Sequence, residues 1–310
     1  MTATAQKKNA IEQEANSAAA DAASDVRAET RDKAAGAQAA NAKVAKLEKT
    51  AKASTDAAKQ KWHDFTVNVW LTNFNRFEFG LWKKERNKGK SRQFTSDMDI
   101  YAEIVENGVG TGVLGYRKEL WNDATGMEKR LVMKLFSETL NWHASMDMMI
   151  GRSLQQTIGA RGIPVTCYSI NTNDDDYIIY LERSANKWPL MPEGFSFFLM
   201  GESGPRFYEL RRDLINLGGD YTLYSQEGEA VGHVDGSILT LGGKWSCTVR
   251  GDHAGSRMLS VMKLFAGMIV FNTQARRHVK AIAHDVRAAR IEPSIQRQEL
   301  DLYQNPRRVR

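Results

Sequence analysis

The sequence predicts an α+β protein: an antiparallel β-barrel of short meandering strands around an apolar C-terminal helix, with an extended Ala-rich N-terminal helix. Residues 198–221 and 222–245 repeat one another without a gap, which indicates that one unit is used twice. From residue 165 to 249, short apolar stretches are separated by Gly, Asn, Asp or Pro. This pattern is typical of closed antiparallel sheets, in which closure removes exposed edges. The stretch Met258–Phe271 is apolar on nearly every side, so a helix there requires burial all round.

The repeated unit predicts a strand, a Gly turn, a second strand in which apolar and polar residues alternate, and a Gly-Gly turn. Gly204 aligns with Gly228, and Phe207 aligns with Val231. Two successive hairpins of the same design follow from this alignment.

Size and composition restrict the class of protein. At 310 residues and 42% apolar composition, the chain is long enough to bury one substantial core. Its two cysteines, Cys167 and Cys247, can form at most one disulfide, which favours a reducing compartment. The N-terminal region lacks the apolar core of a signal peptide, and the run Met258–Phe271 is too short for a bilayer span. We therefore expect an intracellular protein, soluble or peripheral to a membrane, with neither a signal peptide nor a transmembrane helix.

Residues 1–60 form the first predicted segment, a helical or partly disordered arm. They contain no Pro and no aromatic residue and are rich in Ala, which favours helix but supplies little apolar area to bury. Two interpretations remain open: a solvated tail, or a helix that docks on a partner or self-associates.

Residues 61–93 are predicted to form an amphipathic aromatic helix followed by a polybasic linker. Aromatic and apolar residues recur there at a spacing of three to four, which predicts a helix from about residue 61 to 82. The aromatic face either packs on the protein's own core or anchors it in a membrane, in which case Trp70, Phe74 and Trp82 are the predicted anchors. The residues that set this spacing are Trp62, Phe65, Val69, Trp70, Phe74, Phe77 and Leu81.

The linker carries six cations against one acid, Glu85. A cationic run beside aromatic residues suits an anionic membrane, where each Lys or Arg contributes about 1 kcal/mol. We expect these side chains to bind an anionic phospholipid or another acidic surface. They are Lys83, Lys84, Arg86, Lys88, Lys90 and Arg92.

Residues 94–272 are predicted to form a β-rich core domain. Ile100, Ala102 and Ile104 alternate with polar residues before an Asn-Gly turn, which predicts a hairpin. Residues 126–158 mix helical spacing with many Met and Leu residues, which predicts a helix inserted among the strands.

Residues 273–310 are predicted to form a basic C-terminal extension, with Arg276, Arg277, Lys280 and Arg287 as its candidate binding residues. A phosphate-rich partner would bind such a segment through charge neutralisation, with a steep dependence on salt. A plain solvated face is the alternative.

Part of the core domain resembles a LURP-one-related domain of the tubby C-like superfamily, which also includes tubby proteins and phospholipid scramblases. The resemblance is carried by Phe197–Gly204, Phe207–Leu210, Tyr221–Gly228 and Ala230–Val234, followed by the apolar stretch Met258–Phe271. It implies a twelve-stranded barrel threaded by an apolar helix. It also implies a scaffold that binds phosphoinositides or associates with membranes. The resemblance implies no established catalytic residues.

The sequence gives no sign of catalysis, and we predict neither an enzyme nor a cofactor or metal. No two of the six histidines have an HExxH or comparable metal-ligand spacing. Ser203, Ser225 and Cys247 lack a nucleophile elbow. The acidic run Asp174-Asp175-Asp176 lacks the spacing of an EF-hand loop and suits a solvated hairpin tip.

The predicted function is therefore a non-enzymatic scaffold that associates with a lipid or membrane surface. Two alternatives remain open. One is a subunit of a larger assembly that uses its helical and basic arms, with protein partners or self-association through residues 1–60. The other is a nucleic-acid binder that acts through its basic flanks.

Overall fold

The computed structural model describes residues 61–69, 91–174, 177–185, 192–201, 204–213, 220–237 and 243–304. The predicted Ala-rich N-terminal helix, residues 1–60, lies outside the described residues. Within the described residues, twelve strands and three α-helices are found. The strands are β1 (Trp62–Val69), β2 (Met98–Glu106), β3 (Val109–Arg117), β4 (Val132–Ser137), β5 (Trp142–Met148), β6 (Cys167–Thr172), β7 (Ile179–Arg183), β8 (Gly194–Gly201), β9 (Gly204–Arg212), β10 (Tyr221–Ser225), β11 (Ala230–Ser237) and β12 (Lys244–Arg250). The helices are α1 (Ile150–Gly159), α2 (Ser256–Arg287) and α3 (Arg297–Gln304).

The strands form one closed antiparallel barrel. Each strand pairs with the next along the chain, and β12 pairs with β1 to close the sheet. The closing register runs from Trp62 opposite Arg250 to Asn68 opposite Lys244. Closure satisfies the backbone groups that an open sheet would leave at its edges, and the predicted α+β barrel is confirmed.

Helix α2 runs through the inside of this barrel. Its Phe265 contacts Phe195 of β8 and Tyr221 of β10, with ring centroids 5.3 and 5.0 Å apart. Gly267 of α2 faces Tyr101 of β2 and Leu114 of β3, strands on another part of the wall. The helix is therefore encircled by the sheet, as its all-round apolar character predicts.

The helix is longer than its apolar stretch, since it continues through Arg287. Among the described residues, it is the one helix that could cross a bilayer on length and composition, and 56% of its apolar window is buried. Its apolar side chains therefore serve mainly as the core of the barrel.

The internal repeat corresponds to two successive hairpins, β8–β9 and β10–β11. Gly204 and Gly228 have φ values of +116° and +79°, a region that favours glycine. The two copies differ at the aligned pair Phe207 and Val231, because Phe207 is exposed and Val231 is buried. A register shift in the β10–β11 pairing, beside Leu223, turns Val231 inward.

The predicted helix from about residue 61 to 82 is wrong over its first part, which is strand β1. Phe65, Val67 and Val69 alternate into the core, while Trp62 is 43% exposed. A separation of four residues, as between Phe65 and Val69, fits both the helical period and the strand period of two. The spacing alone therefore does not discriminate between the two structures.

The helix predicted over residues 126–158 is also wrong for most of its length. It corresponds to a short 3₁₀ turn at Gly126–Glu128, the β4–β5 hairpin and α1. Strand β4 is apolar on both faces because Leu135 faces the lumen while Phe136 lies under Phe94 on the outer wall. A strand that is buried on both faces loses the alternating pattern by which it would be recognised.

The two ends of the barrel differ. At one end, which we call the hairpin end, tight turns join the strands, and α2 begins there after Gly255. At the opposite end, the connector end, longer segments join the strands. There α2 leaves the barrel, with α1 beside it. Contacts of α2 fix this orientation, since Arg257 donates to the carbonyl of Met200 near the β8–β9 turn and Asn272 donates to Glu193 just before β8.

A buried ion cluster holds α2 near the connector end. Arg183 of β7 pairs with Glu193, and Arg276 of α2 lies 3.6 Å from the same carboxylate. Glu193 also accepts hydrogen bonds from the Tyr221 hydroxyl (2.9 Å) and the Asn272 amide (3.2 Å). Burial opposes ionisation of Glu193, but the hydrogen bond and charge of Arg183 outweigh burial and lower its pKa.

Substitution of Gly267 by Val should destabilise the protein. An ideal Cβ there would lie 2.5 Å from a methyl of Leu114 and 2.6 Å from the Tyr101 hydroxyl, inside a filled lumen. We expect a loss of about 1–3 kcal/mol in the free energy of unfolding, measured by urea denaturation. Gly159→Ala in α1 is the control, because no atom lies within 4 Å of its added Cβ. Equal stability of the Gly267→Val variant and the unsubstituted protein would contradict the encircled position of α2.

Glu193→Gln should be far more costly than a similar change at the surface. It leaves Arg183 and the partly buried Arg276 without their carboxylate, and breaking a buried pair costs about 3–5 kcal/mol. Glu209→Gln, at the exposed pair with Arg211, should cost less than about 1 kcal/mol.

The contribution of Glu193 to the free energy of unfolding should depend on pH, because the pKa of Glu193 is lowered in the folded protein. This contribution is present above the pKa of the unfolded state and is lost as the pH falls through the pKa of the folded state. Thermal unfolding across acidic pH should therefore show a shallower loss of stability in Glu193→Gln, and parallel profiles would contradict this assignment.

Candidate functional surfaces

The C-terminal half of α2 exposes a cationic face, which we call the basic helix face, formed by Arg277, Lys280, His284 and Arg287. These residues follow helical spacing and share one side of the helix. Arg277 and Lys280 form no ion pair with any residue that the structure describes, and Arg287 donates to the carbonyl of Ile158 in α1 at 3.0 Å. These three cations are thus exposed on one side of a rigid helix.

The predicted basic extension is brought together only in part. Arg277, Lys280 and Arg287 lie on the basic helix face, but Arg276 turns inward to Glu193. Arg276 is therefore a structural residue of the buried ion cluster. The extension is also helical through Arg287 rather than separate from the core helix.

Most of the predicted anion-binding and anchoring residues lie outside the described residues: Lys83, Lys84, Arg86, Lys88 and Lys90, and also Trp70, Phe74 and Trp82. Arg92 is described and is exposed. Shortly after it, Phe94 packs on Phe136 at 5.3 Å between ring centroids and fastens the chain to the outer wall of the barrel.

The outer face of the β8–β9 hairpin carries large exposed apolar side chains, which we call the apolar hairpin patch: Phe198, Met200, Pro205 and Phe207. Phe198 lies opposite Phe207 and Met200 opposite Pro205, so the four form two adjacent cross-strand pairs. Phe198, Met200 and Phe207 are 46%, 42% and 45% exposed. The sequence prediction missed this patch. Its signal was the adjacent pair Phe197-Phe198, because neighbouring strand residues point to opposite faces and one of them had to face outward.

The hairpin end carries charges of both signs. The described residues of its turns include no Lys or Arg. Beside the turns lie Lys61, Arg206, Arg250, Arg257 and Lys263, of which Arg250 pairs with Glu229 and Asp252 and Lys263 pairs with Glu106. The acids at or beside the turns are Glu106, Glu138, Asp174, Glu227, Glu229 and Asp252.

A cleft of about 280 Å³ lies beside the start of α2, between the patch and the last turn of the barrel. Among its lining residues, His253 has one ring nitrogen 2.9 Å from the Tyr208 hydroxyl and the other 3.0 Å from Arg250. Burial lowers the pKa of His253, and the charges of Arg250 and Arg206 act in the same direction against Asp252. Both ring nitrogens already have partners, so His253 is not placed as a free general base.

The two cysteines are poorly placed to act as nucleophiles. Cys167 and Cys247 are buried, unpaired thiols, and burial raises the pKa of both, that of Cys167 to about 12. Because the thiolate is the reactive form, these thiols are poor nucleophiles.

Within the described residues, no group of three His, Cys, Asp or Glu side chains is arranged to hold a metal ion.

Comparisons with family models, with curated proteins and with solved structures find no match to this chain.

The end of the chain is clamped onto α1 by a carboxylate. Glu299 of α3 is buried, and its two oxygens accept hydrogen bonds from the backbone amides of Gly151 (2.9 Å) and Arg152 (2.6 Å). Helix α1 has no side-chain cap of its own, so Glu299 satisfies its first free amides from a distant part of the chain. Leu302 is buried beside Cys167 and completes the clamp.

Glu299→Ala should loosen this clamp. The change removes a charged cap, so we expect a loss of about 1–2 kcal/mol in the free energy of unfolding, measured by denaturant titration. We also expect faster proteolysis after residue 290. Glu292→Ala is the matched control, because Glu292 is exposed. Equal stability and equal proteolysis of the two variants would contradict the clamp.

Proposed function

We propose that this protein is a non-enzymatic, intracellular scaffold that associates peripherally with an anionic phospholipid surface through its connector end. The observation that carries this proposal is the basic helix face, in which three cations stand on a helix that is rigidly held by the barrel. Of the five Lys or Arg residues between residues 272 and 290, Arg276 pairs with Glu193 and Arg290 pairs with Asp285, so the excess positive charge is that of Arg277, Lys280 and Arg287.

The binding free energy expected of the basic helix face alone is small, which indicates that this face acts together with other residues. Each Lys or Arg near an anionic bilayer contributes about 1 kcal/mol, so three of them give about 3 kcal/mol, which is weak binding. Stable attachment takes a second signal. The linker cations from Lys83 to Arg92 and the aromatic residues Trp70, Phe74 and Trp82 are proposed to supply it.

The architecture gives further support. A closed twelve-stranded barrel around an apolar helix is the arrangement implied by the resemblance to the tubby C-like superfamily. That resemblance implies lipid or membrane association rather than catalysis. The two buried thiols and the fully engaged His253 are in keeping with a binding role.

Vesicle co-sedimentation tests the proposal. We expect binding to mixed phosphatidylserine–phosphatidylcholine vesicles but not to phosphatidylcholine alone, with steep weakening by salt. The double variant Arg277→Glu, Lys280→Glu should bind at least about tenfold more weakly, since about 1.4 kcal/mol corresponds to a factor of ten. The control variant Lys61→Glu, Arg206→Glu has the same change in net charge at the hairpin end and should bind almost normally.

Two results would end the proposal. One is equal binding to neutral and anionic vesicles, or none to either. The other is an equal loss in the two double variants, which would indicate a response to net charge alone. A parallel titration with duplex DNA tests the nucleic-acid alternative, which predicts tighter binding to DNA than to vesicles at the same salt concentration.

A further inference from the structure

We infer that the last segment of this chain is a pH-sensitive strap, which is held more firmly onto the barrel at mildly acidic pH than at neutral pH. The strap, residues 291–304, follows α2 and includes α3. This inference goes beyond the proposed function and does not depend on lipid, so either of the two can fail without the other.

The strap is attached through few buried side chains. Within residues 291–304, only Glu299 and Leu302 are buried. Leu302 packs in a small apolar cluster that is separate from the main core, and Glu299 accepts hydrogen bonds from the backbone amides of Gly151 and Arg152. A segment with few buried contacts opens at a free energy well below that of global unfolding. A modest change of charge beside Glu299 is therefore enough to shift the docking equilibrium of the strap.

Asp147 of β5 lines a small cavity together with Glu299. The cavity has a volume of about 40 Å³, and the strap forms one of its sides. The Oδ1 atom of Asp147 is buried and lies 3.1 Å from Nε of Arg130, a residue that is 5% exposed. Arg130 is the one cation among the described residues that line the cavity. Two carboxylates and a single guanidinium are thus gathered under the strap.

The surroundings of Asp147 act on its ionisation in both directions. Burial raises the pKa of Asp147 to about 6 against the charge of Arg130, and the carboxylate of Glu299 acts in the same direction as burial. Arg117 of β3 and Lys134 of β4 are two further cations that interact with Asp147. Release of the strap removes the charge of Glu299 and part of the burial, so Asp147 is a stronger acid in the released state.

Proton binding by Asp147 is therefore linked to docking of the strap. The docked state has the higher pKa for this carboxyl and binds more protons near pH 6, so docking strengthens as the pH falls through about 6. With a pKa of about 4 in the released state, the docking constant should be about tenfold larger at pH 5 than at pH 7.5. The comparison stops at pH 5, above the ordinary range in which glutamate carboxylates bind protons.

Hydrogen exchange of the full chain, without lipid, tests the inference. The measured quantity is the protection of the Gly151 and Arg152 amides, expressed relative to an unstructured peptide at the same pH. These first-turn amides of α1 are held by Glu299, so they exchange when the strap opens. In the unsubstituted protein, we expect about tenfold greater protection at pH 5 than at pH 7.5.

Three variants identify the group that responds to pH. Asp147→Asn carries no titrating carboxyl at this position, so the two amides should be equally protected at both pH values. Asp235→Asn, at an exposed position of β11, is the matched control and should keep the tenfold response. Glu299→Ala releases the strap, and low protection at both pH values verifies that the amides report docking.

A reciprocal measurement does not require the Asp147→Asn variant to fold. NMR of the Asp147 carboxyl should give a titration midpoint near pH 6 in the unsubstituted protein. In Glu299→Ala the midpoint should be lower, because the released state binds the proton less tightly.

The inference is overturned if protection in the unsubstituted protein does not rise between pH 7.5 and pH 5, or if the rise persists in Asp147→Asn. It is also overturned if Glu299→Ala leaves the titration midpoint of Asp147 unchanged. Because these measurements contain no lipid, they do not bear on vesicle binding. Absence of vesicle binding together with an intact pH response would end the proposed function and leave this inference standing.

Discussion

Burial of one apolar helix inside a closed sheet is the interaction on which this structure depends. The interior of a barrel of about eight strands is just filled by its own side chains, so a barrel of twelve strands encloses more space than they can occupy. Helix α2 fills this space, and residues such as Val261, Leu264 and Phe265 are completely buried. Neither part is stable alone, since the helix would expose apolar residues on all sides and the empty barrel would contain a large cavity.

Local sequence correctly predicted the parts of the fold that are determined by turn residues and composition. The prediction of secondary structure failed in segments whose residues suit a helix and a strand equally well. Gly-rich turns predicted the hairpins, and the all-round apolar stretch predicted the buried helix. The pentapeptide Val-Met-Lys-Leu-Phe illustrates the failure, because it forms strand at residues 132–136 and helix at 261–265 with the same burial pattern. In β4, Lys134 reaches the outer wall, where it donates to Gln93, while in α2 Lys263 pairs with Glu106. Tertiary surroundings therefore decide the conformation, and the repeated pentapeptide marks no shared structural unit.

Among the candidate surfaces, only the basic helix face could be predicted from the sequence, because its charged residues are clustered along the chain. Arg277, Lys280 and Arg287 could be singled out because they are close together in sequence. The different role of Arg276 could not, because its partner Glu193 belongs to a distant segment that the barrel brings to α2. The apolar hairpin patch depends on strand register, which decides that Phe197 points inward and Phe198 outward. The grouping of carboxylates at the turns of the hairpin end depends on the topology, since these turns are spread over much of the chain.

A helix that passes through the whole barrel also links the two ends mechanically. Near its start, Arg257 donates to the Tyr177 hydroxyl at 2.8 Å and to the carbonyl of Met200, and farther along Asn272 and Arg276 engage Glu193. These contacts fix the axial position of α2, so the basic helix face and the apolar hairpin patch keep a constant separation and orientation. In the proposed attachment to lipid, the basic helix face lies against the membrane. The fixed position of α2 then turns the apolar hairpin patch, at the other end of the barrel, away from the bilayer.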